Sequence, residues 1–438
     1  MKNCHRIKIF YLIVFSVFSS SYSQEVLTIE NAIKIALENN FEIKIASNNY
    51  NIAKTNSTIG NAGMLPTLTA SVAANNRVQN STLTLQNGVV NALDNALNNS
   101  LNYGVSLDWT IFNGFKMFTR LEQLKELEKL GSTKLQQTII SKLSEVSSTY
   151  FNLVQQQQQL KALDSTLVIS NQRLALAQNR FAIGKASKLE VLNAQVDLNT
   201  DNVVLLKQQE VFQNTKTLLN KILARDLQTQ FNVIEKIKVD DNLKLTELSD
   251  LVEKQNPQLV SLLLSKNVAE LQLKQIKGDR YPVITLSSGY VFSETQASLG
   301  FAAATSARGF NYGFNAALNL FNGWNQNRNE KIAKIMLDNS KLTLNSQRLE
   351  LQAQLNAAYQ TYLTNNQLVV IENKNEIYAK QNLDITLDKF KIGTITTLEF
   401  RTAQLNYVNA KVRNSNAQFQ AKLSEIVLKE LAGIINLD

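Results

Sequence analysis

The strongest constraint on this chain is that its sequence repeats. Tyr103-Gly104 returns as Tyr312-Gly313 and Phe112-Asn113-Gly114 as Phe321-Asn322-Gly323, both at an offset of 209 residues. The same offset carries Tyr150 onto Tyr359. It also carries Phe181, Ile183, Gly184, Leu189, Glu190, Ala194 and Gln195 onto Phe390, Ile392, Gly393, Leu398, Glu399, Ala403 and Gln404. Upstream the offset becomes 216, pairing Asn40 with Asn256 and Pro66 with Pro282, so the first copy holds seven extra residues between Pro66 and Tyr103, expected in a loop. A ladder of this length in constant register marks two copies of one structural unit of roughly 200 residues. The expected division is a leader at 1–23, a first copy at 24–230 and a second at 231–438.

The leader follows from charge and apolarity. Lys2, Arg6 and Lys8 precede a mostly apolar run from Ile9 to Phe18, and Ser21-Tyr22-Ser23 comes before Gln24, which is the layout of a cleaved export signal. The only Cys (Cys4) and the only His (His5) lie inside it. A mature chain without either excludes zinc sites built on Cys or His, Cys nucleophiles, Ser-His-Asp triads, haem ligation by His and disulfides. No metal or cofactor is therefore expected. An enzyme would have to run on carboxylates, Lys or Tyr, for which no evident paired acids are present, so none is expected, and no phosphate-cradling nucleotide loop is present. Losing the leader takes three from a formal charge of +9, and the remainder is spread without a basic run, so nucleic acid is not an expected partner. No apolar run of 18 residues follows the leader, and membrane insertion, if any, must be by strands.

Each copy opens with a short helical pattern (Ile29 to Leu37; Leu245 to Lys254) and a longer one (Phe41 to Ala62; Pro257 to Lys277). Pro66 and Pro282 then mark a switch from helix to strand, because proline lacks a backbone donor and pushes its predecessor toward extended geometry. The period changes to two. Leu68, Ala70, Val72 and Ala74 alternate with Thr67, Thr69 and Ser71, and Tyr103, Val105, Leu107, Trp109 and Ile111 with Asn102, Ser106, Asp108 and Thr110. The second copy sets Ile284, Leu286, Tyr290 and Phe292 against Thr285 and Ser287, then Phe310, Tyr312, Phe314, Leu318 and Leu320 against Asn311, Asn315 and Asn319. Strands are expected at 66–77, 102–112, 282–292 and 310–321, with 78–101 and 293–309 as loops. Such alternation fits a tilted strand crossing a bilayer; a half-buried strand of a soluble sandwich is the alternative.

Long stretches without Pro follow each Asn-Gly, and helices are expected at 114–179 and 323–388. Ile335, Leu342 and Leu349 form one heptad series and Leu337, Leu344, Leu351 and Ala358 another, two narrow seams that imply two helical neighbours. A glycine-containing turn ends each, and return helices are expected at 187–224 and 397–433. Two copies supply four strands with one apolar face, too few to close on themselves, so several chains must share one barrel.

On the duplication, the Phe-Asn-Gly junctions at 112–114 and 321–323 and the Ile-Gly turns at 183–184 and 392–393, the sequence resembles the TolC-type outer-membrane channels of tripartite efflux pumps and type I secretion. The resemblance implies a mainly α fold with β, a homotrimer whose twelve-stranded barrel sits in the outer membrane and whose helical tunnel crosses the periplasm. The function it implies is passive, gated export, with a periplasmic adaptor and an inner-membrane pump as partners. It makes Phe181, Ile183, Gly184 and Lys185, with Phe390, Ile392, Gly393 and Thr394, the adaptor-binding tip. It places Glu399 and Thr402, and Glu190 and Asn193 in the other copy, at a periplasmic gate; Thr402 stands where the family pattern can carry a second acid. At the junctions, Asn113 and Asn322 are expected to cap the incoming helices, Gly114 and Gly323 to allow the bend, and Phe112 and Phe321 to suit the membrane interface. Two other classes compete. A periplasmic coiled-coil adaptor or scaffold would have one hairpin flanked by compact β domains, and a carboxylate-based hydrolase would need paired acids in a pocket.

Overall fold

The structure, a computed structural model, describes residues 25–234, 236–300 and 302–434. The expected leader, with Cys4 and His5, lies outside them. Strand β1 (Glu25–Leu27) precedes helices α1 (Ile29–Asn39) and α2 (Phe41–Asn56). Strands β2 (Thr67–Thr84) and β3 (Val90–Asn113) lead into the long helix α3 (Lys116–Ala182) and its return helix α4 (Lys188–Ile222). The second copy repeats the series as β4 (Phe231–Val233), α5 (Leu245–Gln255), α6 (Pro257–Gly278), β5 (Val283–Ala297), β6 (Ala304–Ala317), α7 (Asn325–Ile392) and α8 (Thr397–Leu431). At 67 residues α3 is about 100 Å long. No helix of the described residues is long and apolar enough to cross a membrane.

Four expectations from sequence need correction. The helix expected to reach Ala62 stops at Asn56, because side chains there bond locally: Thr58 Oγ1 accepts from Asn61 N (3.2 Å) and Asn61 Nδ2 donates to Asn56 O (2.9 Å). The segment 78–101, expected as a loop, is mostly strand. Its residues pair across β2 and β3 with one bulge between Gln79 and Ser81, and only a tight turn closed by Leu85 N to Val89 O (2.8 Å) separates the strands. The seven extra residues thus lengthen a hairpin. The expected loop at 293–309 likewise shrinks to the span between Ala297 and Ala304, while β6 ends at Ala317 rather than at 321. Beyond these four, the connection after α4 carries β4, which pairs in parallel with β1, a contact of three residue pairs and too short to show a period in the sequence.

The described chain forms two compact units, each drawing on both copies of the repeat. One comprises residues 46–135 and 257–349 and contains the sheet, in the order β2-β3-β5-β6, antiparallel throughout. Its register aligns the alternation of all four strands. Val72 faces Tyr103, which faces Phe292; Ala70 faces Val105, then Tyr290, then Phe310. One face is therefore mostly apolar, interrupted by Ser288 and, toward the hairpin ends, by Glu294 and Arg308, and Thr69, Ser106 and Gly289, then Asn311, lie on the other. The apolar face is bare within the chain: Val72, Tyr312 and Phe314 are each at least 77% exposed. Among the described residues of this unit, no second sheet covers these side chains as a soluble sandwich would.

The other unit comprises residues 25–45, 136–256 and 350–434 of the described chain. Its core gathers Leu27, Ala32, Ala36, Val146, Tyr150, Leu153, Leu219, Phe231 and Ile426. The repeated residues are its ties. The Tyr150 hydroxyl donates to Leu27 O (3.0 Å) and accepts from Ile234 N (3.3 Å), while burial raises its pKa; its counterpart Tyr359 donates to Leu243 O (3.3 Å). Asn40 Nδ2 donates to Ile222 O and Asn256 Nδ2 to Leu431 O, both at 2.8 Å, so the same residue fastens the end of a return helix in each copy. Buried carbonyls at helix ends need such partners.

Candidate functional site

Two kinds of place were singled out by sequence, the strand–helix junctions and the hairpin ends. At the junctions Asn113 Oδ1 accepts from Met117 N (3.1 Å) and Asn322 Oδ1 from Gln326 N (3.2 Å), each satisfying a free donor of the first helical turn. Gly114 (φ +70°) and Gly323 (φ +65°) take the left-handed conformation, and so do Phe115 and Trp324, both at φ +64°. Two consecutive left-handed residues reverse the chain from strand to helix. A large aromatic at such a position is uncommon, and the sequence gives no sign of it beyond the Asn-Gly that precedes it. Phe112 packs edge-on against Phe115 with centroids 5.1 Å apart, and Phe321 likewise against Trp324 at 6.0 Å.

At the first hairpin end Gly184 (φ +75°) closes the helix, with Gly184 N donating to Phe181 O (3.0 Å) and Lys185 N to Arg180 O (2.8 Å). At the second, Gly393 (φ +81°) does the same through Gly393 N to Phe390 O and Thr394 N to Lys389 O, both 3.1 Å. Ile183 and Ile392 project from the turns, 66% and 75% exposed, and Phe181, Lys185 and Thr394 are exposed beside them. Phe390 is the exception. At 1% exposure it belongs to the core of the hairpin, stacked on Phe400 with centroids 4.8 Å apart, beneath the guanidinium of Arg180, which also donates to Phe390 O (2.7 Å). Phe390, which the resemblance implied as part of the adaptor-binding tip, is buried in the single chain and supports the turn from within the hairpin. Its equivalent Phe181 keeps the surface position.

Glu399 is exposed on the first turn of α8, and its carboxylate is already engaged: it accepts from Thr396 N (2.7 Å) and Thr396 Oγ1 (2.9 Å), while Glu399 N donates back to Thr396 Oγ1 (3.2 Å). This is a capping box. The Thr396 backbone N–H, and after it the Thr396 hydroxyl, hold the carboxyl below the usual glutamate range. Glu190 stands at the same position of α4, where its N–H donates to Ser187 Oγ (3.3 Å). Thr402 and Asn193 are exposed one turn further on, and the Thr402 hydroxyl donates to Leu398 O (3.0 Å). Among the described residues, no hydrogen bond or ion pair joins any two of Glu190, Asn193, Glu399 and Thr402.

One turn deeper lies a feature that the sequence reading missed. Arg401, on α8, makes a two-pronged ion pair with Asp201 on α4 (2.8 and 2.7 Å). Ser170 on α3 donates to Asp201 (2.6 Å), and Gln404 Nε2 donates to Ser170 Oγ (2.9 Å) and Thr166 O (3.3 Å). Arg173 on α3 pairs with Asp197 on α4 (2.6 Å). All but Asp197 are buried. Three helices from both copies are thereby cross-braced by charge in addition to the apolar contacts of Ala177 with Val191 and Ala194 and of Ile169 and Leu176 with Phe400 and Ala403. The repeat could not reveal it, since the other copy has Leu192 and Ala410 at the positions of Arg401 and Asp201. The available signal was that departure: an Arg and an Asp at ladder positions where the duplicate is apolar. Removing one partner strands a buried charge, so Arg401→Met is expected to cost about 3–5 kcal/mol, read as a lowered melting temperature of the detergent-extracted protein. Arg401→Leu with Asp201→Leu is expected to recover most of the loss; a single variant that melts like the parent would contradict the bracing role.

Comparison with known proteins bears on the whole arrangement. The family profile described as outer membrane efflux protein matches residues 32–225 and 248–434, that is, both copies. The outer membrane protein TolC of Escherichia coli K12 is 21% identical over 310 residues, covering 69% of this chain and 62% of that protein. Solved structures share the fold: the CmeC outer membrane channel of Campylobacter jejuni at TM-score 0.77 and 18% identity (92% of this chain, 85% of that one), and the outer membrane protein VceC of Vibrio cholerae at 0.75 and 15% (93% and 97%). With both copies of its repeat matched, the chain belongs to the outer membrane efflux protein family, a family of transport proteins and not of enzymes.

Proposed function

We propose that this chain is the outer-membrane duct of an export assembly, a passive gated conduit in which three copies close one twelve-stranded barrel. The observation that carries the reading is the sheet of β2, β3, β5 and β6, mostly apolar on one face and open at both edges. In a hydrocarbon layer a bare apolar face is at no disadvantage, whereas an unpaired edge is costly, because no water is there to bond its N–H and C=O groups. Further copies cure the second defect without covering the first. The polar faces, carrying Thr69, Ser106 and Asn311, then line the lumen. An adaptor or scaffold without a pore is not favoured, since it has no use for such a sheet.

Export through this duct draws its energy from partners, a periplasmic adaptor and an inner-membrane pump. The exposed Ile183 and Ile392 at the ends of the hairpins, flanked by Phe181, Lys185 and Thr394, support an adaptor surface there. Glu399 supports the gate. Three copies of an ionised, exposed carboxylate in a narrow mouth focus a negative potential that favours cations.

The detergent-extracted protein is expected to migrate as a trimer that heating converts to monomer, and to conduct ions in planar bilayers. Glu399→Gln keeps a side chain able to serve the capping box while removing the charge, and is expected to lower cation over anion preference without altering assembly. A freely soluble monomer would overturn the duct, and an unchanged preference would remove Glu399 from the gate. For the partner surface, Ile183→Asp with Ile392→Asp is expected to abolish capture of the adaptor while the oligomer persists; capture at the parental level would refute it.

A further inference from the structure

The two strand–helix junctions have the same backbone but different surroundings. At the first, the chain covers itself. Residues 278–281 seat so closely on Gly114 that a Cβ there would lie 2.1 Å from Gly278 O. Tyr281 meets the Phe115 ring edge-on with centroids 6.1 Å apart, and Lys116 pairs with Asp279 at 2.5 Å. At the second junction no described segment seats on the glycine, although Ile276 O accepts from Gln326 (2.6 Å) and Arg280 pairs with Glu330 (2.5 Å) just beyond it. Among the described residues other than its two chain neighbours, the only atom within 4 Å of a Cβ on Gly323 is Asn325 Nδ2. Leu320, Phe321 and Trp324 are 89%, 71% and 70% exposed, around a cavity of about 690 Å³ also lined by Tyr281, Val283 and Leu318.

The repeat identifies what is missing. The offset of 216 carries residues 278–281 onto 62–65, and the offset of 209 carries 112–116 onto 321–325. The equivalent of Tyr281 on Phe115 is Leu65 on Trp324. Within one chain that contact cannot follow the same path, because Leu65 precedes β2 and Trp324 follows β6, the opposite edges of the sheet. We infer that the cavity beside Trp324 is filled by the turn 62–65 of a second copy of this chain, with Leu65 of that copy against the Trp324 ring.

This inference rests on the oligomeric reading above and adds its register. In β3 and β5, Asn113 faces Val283 and Thr110 faces Thr285. Moved by the two offsets, those pairs become Asn322 with Thr67 and Asn319 with Thr69 of the second copy. The early end of β6 is thereby explained. Residues 318–322 correspond to 109–113, which are strand in β3 because β5 pairs with them; residues 318–322 have no such neighbour in the single chain. The turn that would arrive is ready. Leu65 is 52% exposed, and Met64 O is fixed by Trp109 Nε1 (2.9 Å). The copies differ in two respects. Ala62 carries the Cβ that Gly278 lacks, so the backbones stand further apart than at the first junction, and Gly63 and Asn325 replace the Asp279–Lys116 ion pair, so the contact is apolar.

The test uses cysteine pairs in the full chain, whose described residues contain no Cys. Thr69→Cys with Asn319→Cys probes the register and leaves the Trp324 contact intact; Leu65→Cys with Trp324→Cys probes the contact itself. Oxidation of the detergent-extracted protein is expected to replace the monomer band by covalent dimers and closed trimers on a non-reducing denaturing gel, for both pairs and for neither single variant. A heat-labile trimer that forms with neither crosslink would overturn the contact and leave the duct standing. Crosslinking confined to single chains would overturn it as well. A protein that stays monomeric in detergent would sink the inference together with the oligomer on which it rests.

Discussion

Every strand offers hydrogen bonds on two sides, and in this sheet the first and last strands use only one. That deficit, together with a face that is mostly apolar between Leu68 and Phe314, is the constraint from which the rest follows. In water such a sheet would be an aggregation hazard on both counts. In a bilayer the apolar face is at home and only the edges need partners, which in the proposed oligomer further copies of the same sequence supply. The family to which the chain belongs, outer membrane efflux proteins, is consistent with that environment.

Duplication makes the solution self-consistent. In the proposed oligomer, the contacts that one copy of the repeat makes with the other inside the chain, such as Asn113 with Val283 and Phe115 with Tyr281, serve as the template for those between chains. The ties inside the helical unit follow the same rule, with Asn40 and Asn256 fastening Ile222 and Leu431. Where the copies diverge, they do so with chemistry. Arg401 and Asp201 have apolar counterparts, and they brace α3, α4 and α8 through buried charge. A charged brace is geometrically demanding, since the guanidinium fork accepts few arrangements of its carboxylate. It holds three helices in one relative placement beneath the exposed turns.

Much of this was legible in the sequence because it was written as periodicity. The period of two in β2 and β3 and in β5 and β6, the heptads of the long helices and the ladder at 209 each average over many residues, and local irregularity does not erase them. Single-residue events were less legible. The helix end at Asn56 depends on Asn61 and Thr58 bonding to nearby backbone, and the strands from 78 to 101 hide in a run of Asn, Ser and Thr that reads equally well as loop until its partners are known. At the hairpin ends, the repeat equated Phe181 with Phe390, yet one is exposed and the other buried. What decides is Arg180 and Phe400, contacts made in space rather than along the chain. Glu399 shows the same limit: its position was readable, while its bonds with Thr396 became visible only with the helix start in place.

The claim that the sheet is closed by copies of itself is tested most directly at its edges. Amide hydrogen exchange of the detergent-extracted protein can be followed separately for Thr67–Thr84 and Ala304–Ala317, the two edge strands, and for Val283–Ala297 between them. Closure predicts edge amides as slow to exchange as the interior ones. Edge amides exchanging at the rate of open chain, beside a protected interior strand, would contradict it.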